Sequence, residues 1–224
     1  MTSEKTVRIL TDSRGKGLEL RIKTLLSKSP HIHVTLEHYG GATLEFLRIK
    51  NQRKQTSADL IIFVAGICNF THVTYQRSKR IVSYTDDINE RQWKVANIKE
   101  TIQGLLGTNR NCLVSTIVPA KICEDSADAD AKQKALLQDI EEVNLFIKNE
   151  CETRDIRKIN LAKTCYKTTK KRRGKKTKTY QLFNKSELID GVHATDRMKD
   201  IWAQILAKAI SRALIERESS SEGD

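Results

Sequence analysis

A serine follows the first apolar segment of the chain, in the stretch Thr11 to Leu18 that also holds Gly15 and Gly17. Glycines allow a tight turn from a strand into a helix, and such a turn exposes its side chains at the edge of a sheet. The N-terminus of the following helix then offers backbone N–H groups to a developing oxyanion. Ser13 is therefore a candidate nucleophile, although a serine after an aspartate is also an ordinary helix cap.

A carboxylate and an imidazole lie three residues apart near the other end of the chain, at Asp190 and His193. On a turn, an aspartate at this spacing can bond one ring nitrogen and fix the tautomer, so that the other nitrogen faces a serine hydroxyl. The alternative is that both residues cap the last helix.

Two further loops carry glycine beside polar residues. The first loop contains Gly40 and Gly41, where the missing side chain lets a backbone N–H approach a ligand closely; the alternative is a plain turn. The second loop begins at Gly66 and continues with Cys68 and Asn69. A carboxamide is a good hydrogen-bond donor for an oxyanion, whereas a thiol is a poor one.

Apolar runs and helical periodicities alternate along the chain. The runs typical of strands are Val7–Thr11, Ile32–Leu36, Leu60–Ala65, Leu113–Val118 and Ile156–Leu161. Helical spacing begins near Leu18, Val95, Leu136 and Met198, the last with Thr195 as a predicted N-cap. This alternation predicts an α/β domain with a mostly parallel sheet and helices on both faces. The polar loops would then meet beyond the carboxyl ends of the strands.

The order of these four loops resembles the SGNH (GDSL-type) hydrolase family. That family has Gly-Asp-Ser-x-x-x-Gly after the first strand, a glycine after the second, Gly-x-Asn-Asp after the third and Asp-x-x-His before the last helix. The matching residues here are Asp12, Ser13 and Gly17, then Gly41 or Gly40, then Gly66, and finally Asp190 and His193. The resemblance covers residues 6 to 215 and implies a three-layer, flavodoxin-like fold with five parallel strands in the order 2-1-3-4-5.

The resemblance also implies a serine esterase or related acyl hydrolase. Ser13 would be the nucleophile, His193 its general base and Asp190 the group that orients His193. The backbone N–H groups of Ser13 and Gly41 would stabilise the oxyanion. An active enzyme would take an ester-bearing small molecule or lipid, and no cofactor or metal.

Two departures from the family pattern bear on activity. Thr11 replaces the leading glycine and is expected to crowd the turn beneath Ser13. An ungapped match also places Cys68 where the family has its oxyanion asparagine. Losing one such donor typically costs ~10²–10³ in rate, so an active enzyme requires Asn69 to take that role.

The basic residues are concentrated in one segment. The chain has 40 Lys and Arg against 28 Asp and Glu, a net charge of +12. Eight of the basic residues lie between Lys167 and Lys178 with no acidic residue among them, so the rest of the chain carries +4. Because its threonines and Gly174 are poor helix formers and it has no apolar periodicity, the segment 167–180 is predicted to be a mobile, solvated loop.

Such a loop could bind nucleic acid through phosphates, lie against an anionic membrane surface, act as a nuclear import signal, or have no partner. SGNH-like domains without hydrolytic activity bind RNA in Oskar-type proteins. Others accompany the first open reading frame of LINE-type retrotransposons, and this chain resembles such mobile-element proteins. The alternative hypothesis is therefore a catalytically inactive module that binds RNA or DNA through Lys170, Lys171, Arg172, Arg173, Lys175 and Lys176.

Composition narrows the classes of protein to which the chain can belong. No apolar run approaches the ~20 residues of a spanning helix, which excludes a membrane-embedded protein, and the N-terminus lacks the features of a secretory signal. Five widely spaced cysteines without a C-x-x-C pair indicate free thiols in a reducing compartment, so we expect an intracellular protein, cytoplasmic or nuclear. The sequence predicts one domain over 1–216 and an acidic, disordered tail over 217–224.

Overall fold

The computed structural model describes residues 3–54, 58–108, 111–173 and 176–221. Its strands are β1 (Lys5–Asp12), β2 (Ile32–Tyr39), β3 (Leu60–Val64), β4 (His72–Gln76), β5 (Lys79–Ser83), β6 (Cys112–Val114), β7 (Tyr166–Arg173) and β8 (Lys176–Phe183). Its helices are α1 (Leu18–Leu25), α2 (Leu44–Arg53), α3 (Ile67–Phe70), α4 (Ile88–Thr108), α5 (Ala129–Thr153) and α6 (Asp196–Ser221).

Four strands form one parallel sheet in the order β2-β1-β3-β6. β1 is paired along its whole length with β2, ending with Asp12 opposite Tyr39. On its other side β1 pairs with β3, ending with Thr11 opposite Val64. Every residue of β3 is buried, as expected for a central strand covered on both faces. The carboxyl ends of β1, β2 and β3 therefore meet at one edge of the sheet.

Apolar side chains on the two faces of the sheet form two separate cores. α1 and α6 cover one face, where Ile22 and Trp202 are fully buried. α2, α4 and α5 cover the other face, where Leu44, Ile98 and Ile140 are fully buried. The α/β architecture with helices on both faces, predicted from the alternation of strand and helix patterns, is thus confirmed.

The fifth predicted strand, Ile156–Leu161, joins the sheet through a single parallel bridge between Ser115 and Ile159. The extended run stops because the Asn160 side-chain oxygen accepts a backbone N–H three residues ahead, at 3.2 Å. This bond turns the chain into a 3₁₀ turn over Ala162–Cys165. The order of the sheet is as predicted, with its last strand reduced to one bridged position.

Two antiparallel hairpins, β4–β5 and β7–β8, lie outside the main sheet. The second hairpin corrects the prediction of a loop over 167–180, since Tyr166 pairs with Phe183 and Arg173 with Lys176 across it. Threonines alternate with lysines along β8, and β-branched residues favour a strand. The rings of Tyr166 and Phe183 also pack at the base of the hairpin, with their centroids 6.0 Å apart.

The segment 119–123, which follows β6, connects the first hairpin to the end of the chain. The N–H of Lys121 donates to the carbonyl of Gly191 at 2.7 Å. Two residues later, the N–H of Cys123 donates to the carbonyl of Val82 on β5 at 2.9 Å. β5 and the turn around Gly191 are therefore held on the same piece of chain.

The C-terminal helix begins where the sequence predicts, since the Thr195 hydroxyl accepts the N–H of Met198 at 3.3 Å. α6 continues to Ser221, past the boundary predicted at 216, and residues 222–224 lie outside the described residues. Over the ranges that the structure describes, no helix combines the length and the apolar character needed to cross a membrane.

Candidate active site

Ser13, His193 and Asp190 form a continuous chain of polar contacts at the carboxyl edge of the sheet. Ser13 Oγ lies 3.0 Å from His193 Nε2, and His193 Nδ1 lies 2.7 Å from Asp190 Oδ2. The fold thus brings together the three side chains that the sequence singles out from opposite ends of the chain. In this arrangement the imidazole can accept the serine proton while the carboxylate holds the imidazole.

Hydrogen bonds from its own turn keep Asp190 ionised. Its Oδ1 accepts the backbone N–H groups of Val192 and His193, at 3.2 and 2.8 Å. Burial by itself would raise the pKa of Asp190, but the hydrogen bonds from His193 and Val192 outweigh it and lower that pKa below its ordinary value. Because an ionised carboxylate can only accept, His193 Nδ1 carries the ring proton and Nε2 presents its lone pair to Ser13.

Gly191 makes this turn sterically possible. Its φ of 81° is in the left-handed region, which residues with a side chain rarely adopt. A Cβ at this position would also lie 2.7 Å from the Lys121 carbonyl oxygen and 2.6 Å from Cys123 Sγ. The turn that carries Asp190 and His193 can therefore lie directly on the segment 119–123.

Arg80, which no local motif predicts, joins this cluster from β5. Its Nη1 donates to Asp190 Oδ2 at 2.6 Å and lies 2.8 Å from His193 Nδ1, while its Nη2 donates to the Tyr75 hydroxyl at 3.1 Å. Since Nη1 and Nδ1 both carry protons, they do not bond each other but share Asp190 Oδ2 as acceptor. The guanidinium therefore anchors the carboxylate that orients His193.

The β4–β5 hairpin delivers Arg80 to this position. Arg77 and Ser78 form its turn with φ angles of 48° and 63°, the positive values that a two-residue hairpin turn requires. Tyr75 and Arg80 are opposite each other across the hairpin, and the Arg80 guanidinium lies 5.7 Å from the centre of the Tyr75 ring. The only sequence signal for this hairpin is the alternation of apolar and polar residues beside the turn. That alternation does not indicate that the hairpin contacts Asp190.

Gly15 accommodates the threonine that the sequence places beneath Ser13. The Thr11 hydroxyl donates to the Val64 carbonyl at 2.7 Å and ties the turn to β3. A Cβ at Gly15 would lie 1.9 Å from Thr11 Cγ2, so the space that a side chain would occupy is already filled by the threonine methyl. The crowding expected from Thr11 is therefore avoided, because Gly15 has no side chain to meet the threonine methyl group.

Asp12 and Arg14 are buried on either side of Ser13 and fix its turn. Asp12 Oδ1 accepts the N–H of Arg14 at 2.9 Å. Burial raises the pKa of Asp12, an effect that the neighbouring Arg14 charge only partly offsets. The Arg14 guanidinium donates to the carbonyl oxygens of Val118 and Pro119, which ties the serine turn to the chain beyond β6.

Asn69 and Gly41, the predicted oxyanion donors, lie on loops that contact each other. Asn69 Oδ1 accepts the N–H of Leu44 at 3.0 Å, which joins the loop after β3 to the loop after β2. Neither the side-chain nitrogen Nδ2 of Asn69 nor the Gly41 N–H has a hydrogen-bond partner among the residues that the structure describes.

Cys68, next to Asn69, is a free thiol that packs against the core formed with α2, α4 and α5. Burial raises the pKa of Cys68 to about 11, and the nearby Asp12 charge adds to this rise. The thiol is therefore protonated near neutral pH and is a weak nucleophile. Asn69 differs in that its side chain accepts a hydrogen bond from the start of α2.

An open cleft of about 480 Å³ lies over the Ser13 hydroxyl. Its wall contains Ser13, His193 and Gly40 together with the basic side chains Lys16, His38, Arg80 and Lys199. No aspartate or glutamate of the described residues lines it. The volume is in the range of small-molecule sites. Across the described ranges, no group of three or more His, Cys, Asp or Glu side chains is placed to hold a metal ion.

The basic residues predicted to bind nucleic acid lie on the second hairpin. Lys170, Lys171, Arg172 and Arg173 belong to β7, Lys176 begins β8, and Lys175 lies outside the described residues. The cleft at Ser13 is lined, among the side chains that the structure describes, by residues from other elements of the fold.

Solved structures resemble the chain over nearly its whole length. A GDSL-like lipase from Bacteroides thetaiotaomicron VPI-5482 has a TM-score of 0.60 and 18% identity, covering 94% of this chain and 89% of that one. The lipase/acylhydrolase from Enterococcus faecalis has a TM-score of 0.60 and 12% identity, covering 92% and 95%. The chain has the SGNH-hydrolase fold.

A third solved structure that resembles the chain is that of Axe2, an acetylxylan esterase from Geobacillus stearothermophilus. It has a TM-score of 0.57 and 13% identity, covering 94% of each chain. The sequence itself matches no protein-family model and no curated protein. The likeness of this chain to these hydrolases therefore lies in its three-dimensional arrangement.

We predict that Gly15→Ala lowers the free energy of unfolding by about 2 kcal/mol, because overpacking a filled site costs ~1–3 kcal/mol. Urea denaturation measures the change. The nearest atoms to the new Cβ all belong to Thr11, so the same alanine introduced into a Thr11→Gly background should cost much less. Equal costs of Gly15→Ala in both backgrounds would contradict this account of the turn.

Proposed function

We propose that this protein is a serine esterase that hydrolyses carboxylic esters through Ser13, His193 and Asp190. The observation that carries the proposal is the continuous contact from Asp190 Oδ2 to His193 Nδ1, at 2.7 Å, and from His193 Nε2 to Ser13 Oγ, at 3.0 Å. Ser13 and His193 also line a cleft that can admit a small ester. The solved structures of the same fold include proteins named as lipases, acylhydrolases and an acetylxylan esterase.

In the proposed reaction, Ser13 Oγ attacks the ester carbonyl carbon as His193 Nε2 takes the hydroxyl proton. The tetrahedral intermediate collapses, the C–O bond to the alcohol breaks, and His193 returns the proton to the departing alcohol. A water molecule then attacks the acyl-serine with His193 again as base, which releases the carboxylic acid and restores Ser13. Asp190, anchored by Arg80, stabilises the imidazolium formed in each half of the reaction.

The oxyanion of both intermediates needs donors aimed at the carbonyl oxygen. We assign this role to the Gly41 N–H, the Ser13 N–H and the Asn69 amide. Asn69 uses its oxygen to accept the Leu44 N–H, which fixes the carboxamide plane and leaves its NH₂ group as the donor. Asn69 thereby takes the role for which Cys68 is chemically unsuited.

We expect Ser13→Ala to lower kcat/KM for 4-nitrophenyl acetate by about 10³-fold or more, because the nucleophile is removed. Ser27→Ala, at an exposed serine just beyond the opposite end of α1, is the matched control and should keep the wild-type rate. A fluorophosphonate probe should label the wild type and Ser27→Ala but not Ser13→Ala. Equal rates in wild type and Ser13→Ala would refute the proposed function.

We also expect Asn69→Asp to lower kcat by about 10²–10³-fold, the usual cost of losing one oxyanion donor. Aspartate keeps an oxygen to accept the Leu44 N–H, so thermal unfolding should report a folded protein. Cys68→Ala in the same loop should leave kcat within about threefold of wild type. If Cys68→Ala is the impaired variant and Asn69→Asp is not, the oxyanion assignment is wrong.

A second candidate function is the binding of RNA or DNA through the β7–β8 hairpin. The specific observation in its favour is that the basic run is built into a two-stranded antiparallel ribbon rather than a loop. A two-stranded ribbon fits the major groove of duplex DNA, and lysine and arginine neutralise phosphates along a strand. The names of the structural neighbours do not bear on this function.

Replacing Lys170, Lys171, Arg172 and Arg173 by glutamine should reduce the salt dependence of binding to a duplex DNA oligonucleotide. The slope of log K against log salt should fall by about 3.6, at ~0.9 for each of the four phosphates that the protein no longer neutralises. The matched control replaces four exposed lysines elsewhere, Lys28, Lys134, Lys148 and Lys208. Equal slopes for the hairpin variant and this control would rule out the hairpin as the binding surface.

A further inference from the structure

Two lysines line the cleft together with Ser13 and His193. Lys16 follows the serine turn, and Lys199 lies on α6, which follows His193 in the sequence. The remaining basic groups of the wall are His38, Arg80 and His193 itself. Because no acidic side chain of the described residues shares the wall, the positive charge of the cleft is not balanced from within it.

The two lysines are also poorly neutralised from outside the cleft. Lys16 has no ion pair among the described residues. Lys199 Nζ lies 3.9 Å from Asp196 Oδ1, but the same oxygen lies 3.0 Å from Arg21, and Asp196 is 82% exposed to solvent. Arg80, in contrast, uses Nη1 to bond Asp190 and Nη2 to bond the Tyr75 hydroxyl, and only its buried Nε has no partner among the described residues. Lys16 and Lys199 are thus the two charges left for a ligand.

Lys199 occupies a position where the protein itself disfavours a cation, because it is in the first turn of α6. Lys16 is the exposed C-cap of the 3₁₀ turn Ser13–Gly15. The N-terminus of a helix carries partial positive charge, which favours anions and disfavours lysine. The Lys199 side chain is in addition only 21% exposed, so part of its hydration is lost. Departures of this kind from local preference are expected at functional sites.

We infer that the ester hydrolysed in this cleft carries a negative charge, a carboxylate or phosphate group that is bound by Lys16 and Lys199. The inference rests on the proposed function, since it names the substrate class of the same site. The anion would offset the unpaired lysine charges and the positive N-terminal end of α6, and its binding would place the ester carbonyl beside Ser13. The chemistry at Ser13 is unchanged, because the anionic group takes no part in bond making or breaking.

The charged group could lie on the acyl part or on the alcohol part of the ester, and two pairs of substrates distinguish these cases. The first pair is the 4-nitrophenyl monoester of glutarate against 4-nitrophenyl pentanoate. The second pair is 4-acetoxybenzoate against 4-acetoxybenzamide. Each kcat/KM is divided by the rate of spontaneous hydrolysis of that ester in the same buffer. The wild type should prefer the anionic member of at least one pair by about tenfold, as expected for two partly screened charges.

The double variant Lys16→Gln, Lys199→Gln should bring that preference close to one. The matched control is Lys208→Gln, which removes an exposed lysine from the same helix as Lys199 but outside the cleft, and it should keep the preference. Added sodium chloride should lower the preference of the wild type and leave that of the double variant unchanged. A wild-type preference near one in both pairs, or equal preferences in the double variant and Lys208→Gln, would overturn the inference.

A binding measurement separates this inference from the esterase proposal. If Ser13→Ala hydrolyses esters as fast as wild type, the esterase proposal fails, whatever the charge preference. Calorimetry on Ser13→Ala with the 4-nitroanilides of glutarate and of pentanoate, stable amides in place of the esters, then tests the charge inference alone. Tighter binding of the glutarate anilide that disappears on adding Lys16→Gln and Lys199→Gln supports an anion-binding cleft. Equal affinities for the two anilides overturn it.

Discussion

The hydrogen-bonded pairing of β1 on both of its sides is the constraint on which the site depends. β1 lies between β2 and β3, and both pairings run nearly to its carboxyl end, at Asp12 and Thr11. Parallel strands must end at the same edge, so the loops that carry Ser13, Gly41 and Asn69 are brought together by the ladder itself. A shift of one residue in this pairing would turn the buried side chains of β1 to the wrong face and move Ser13 out of the edge.

The other half of the site depends on contacts outside the sheet. The segment 119–123 donates one N–H to Gly191 and another to β5, and the Arg14 guanidinium reaches the same region of chain from the serine turn. Asp190 and Arg80 are therefore placed against each other by a segment that itself supplies no catalytic group. This explains how the serine and the histidine can be held 3.0 Å apart across an open cleft.

Features with local determinants could be predicted from the sequence, whereas features that depend on distant contacts could not. Ser13 and the pair Asp190 and His193 are each specified by a short turn, and the alternation of strands and helices brings those turns together. Arg80 is different, because its position depends on how a hairpin packs against a distant turn. The last strand has apolar residues where expected, yet Asn160 ends it through a side-chain bond to the backbone. The second hairpin has the composition of a solvated loop, and its threonines and the ring contact at its base nevertheless favour strands.

The departures from the family pattern are paired with compensating residues that lie close by. Thr11 would crowd the serine turn, and Gly15 leaves room for its methyl group while the Thr11 hydroxyl bonds β3. Cys68 is a poor donor to an oxyanion, and Asn69 next to it holds a carboxamide against the start of α2 with its NH₂ group unpaired among the described residues. Neither departure interrupts the contact from Asp190 through His193 to Ser13, on which the esterase proposal rests. The two departures are therefore compatible with that proposal.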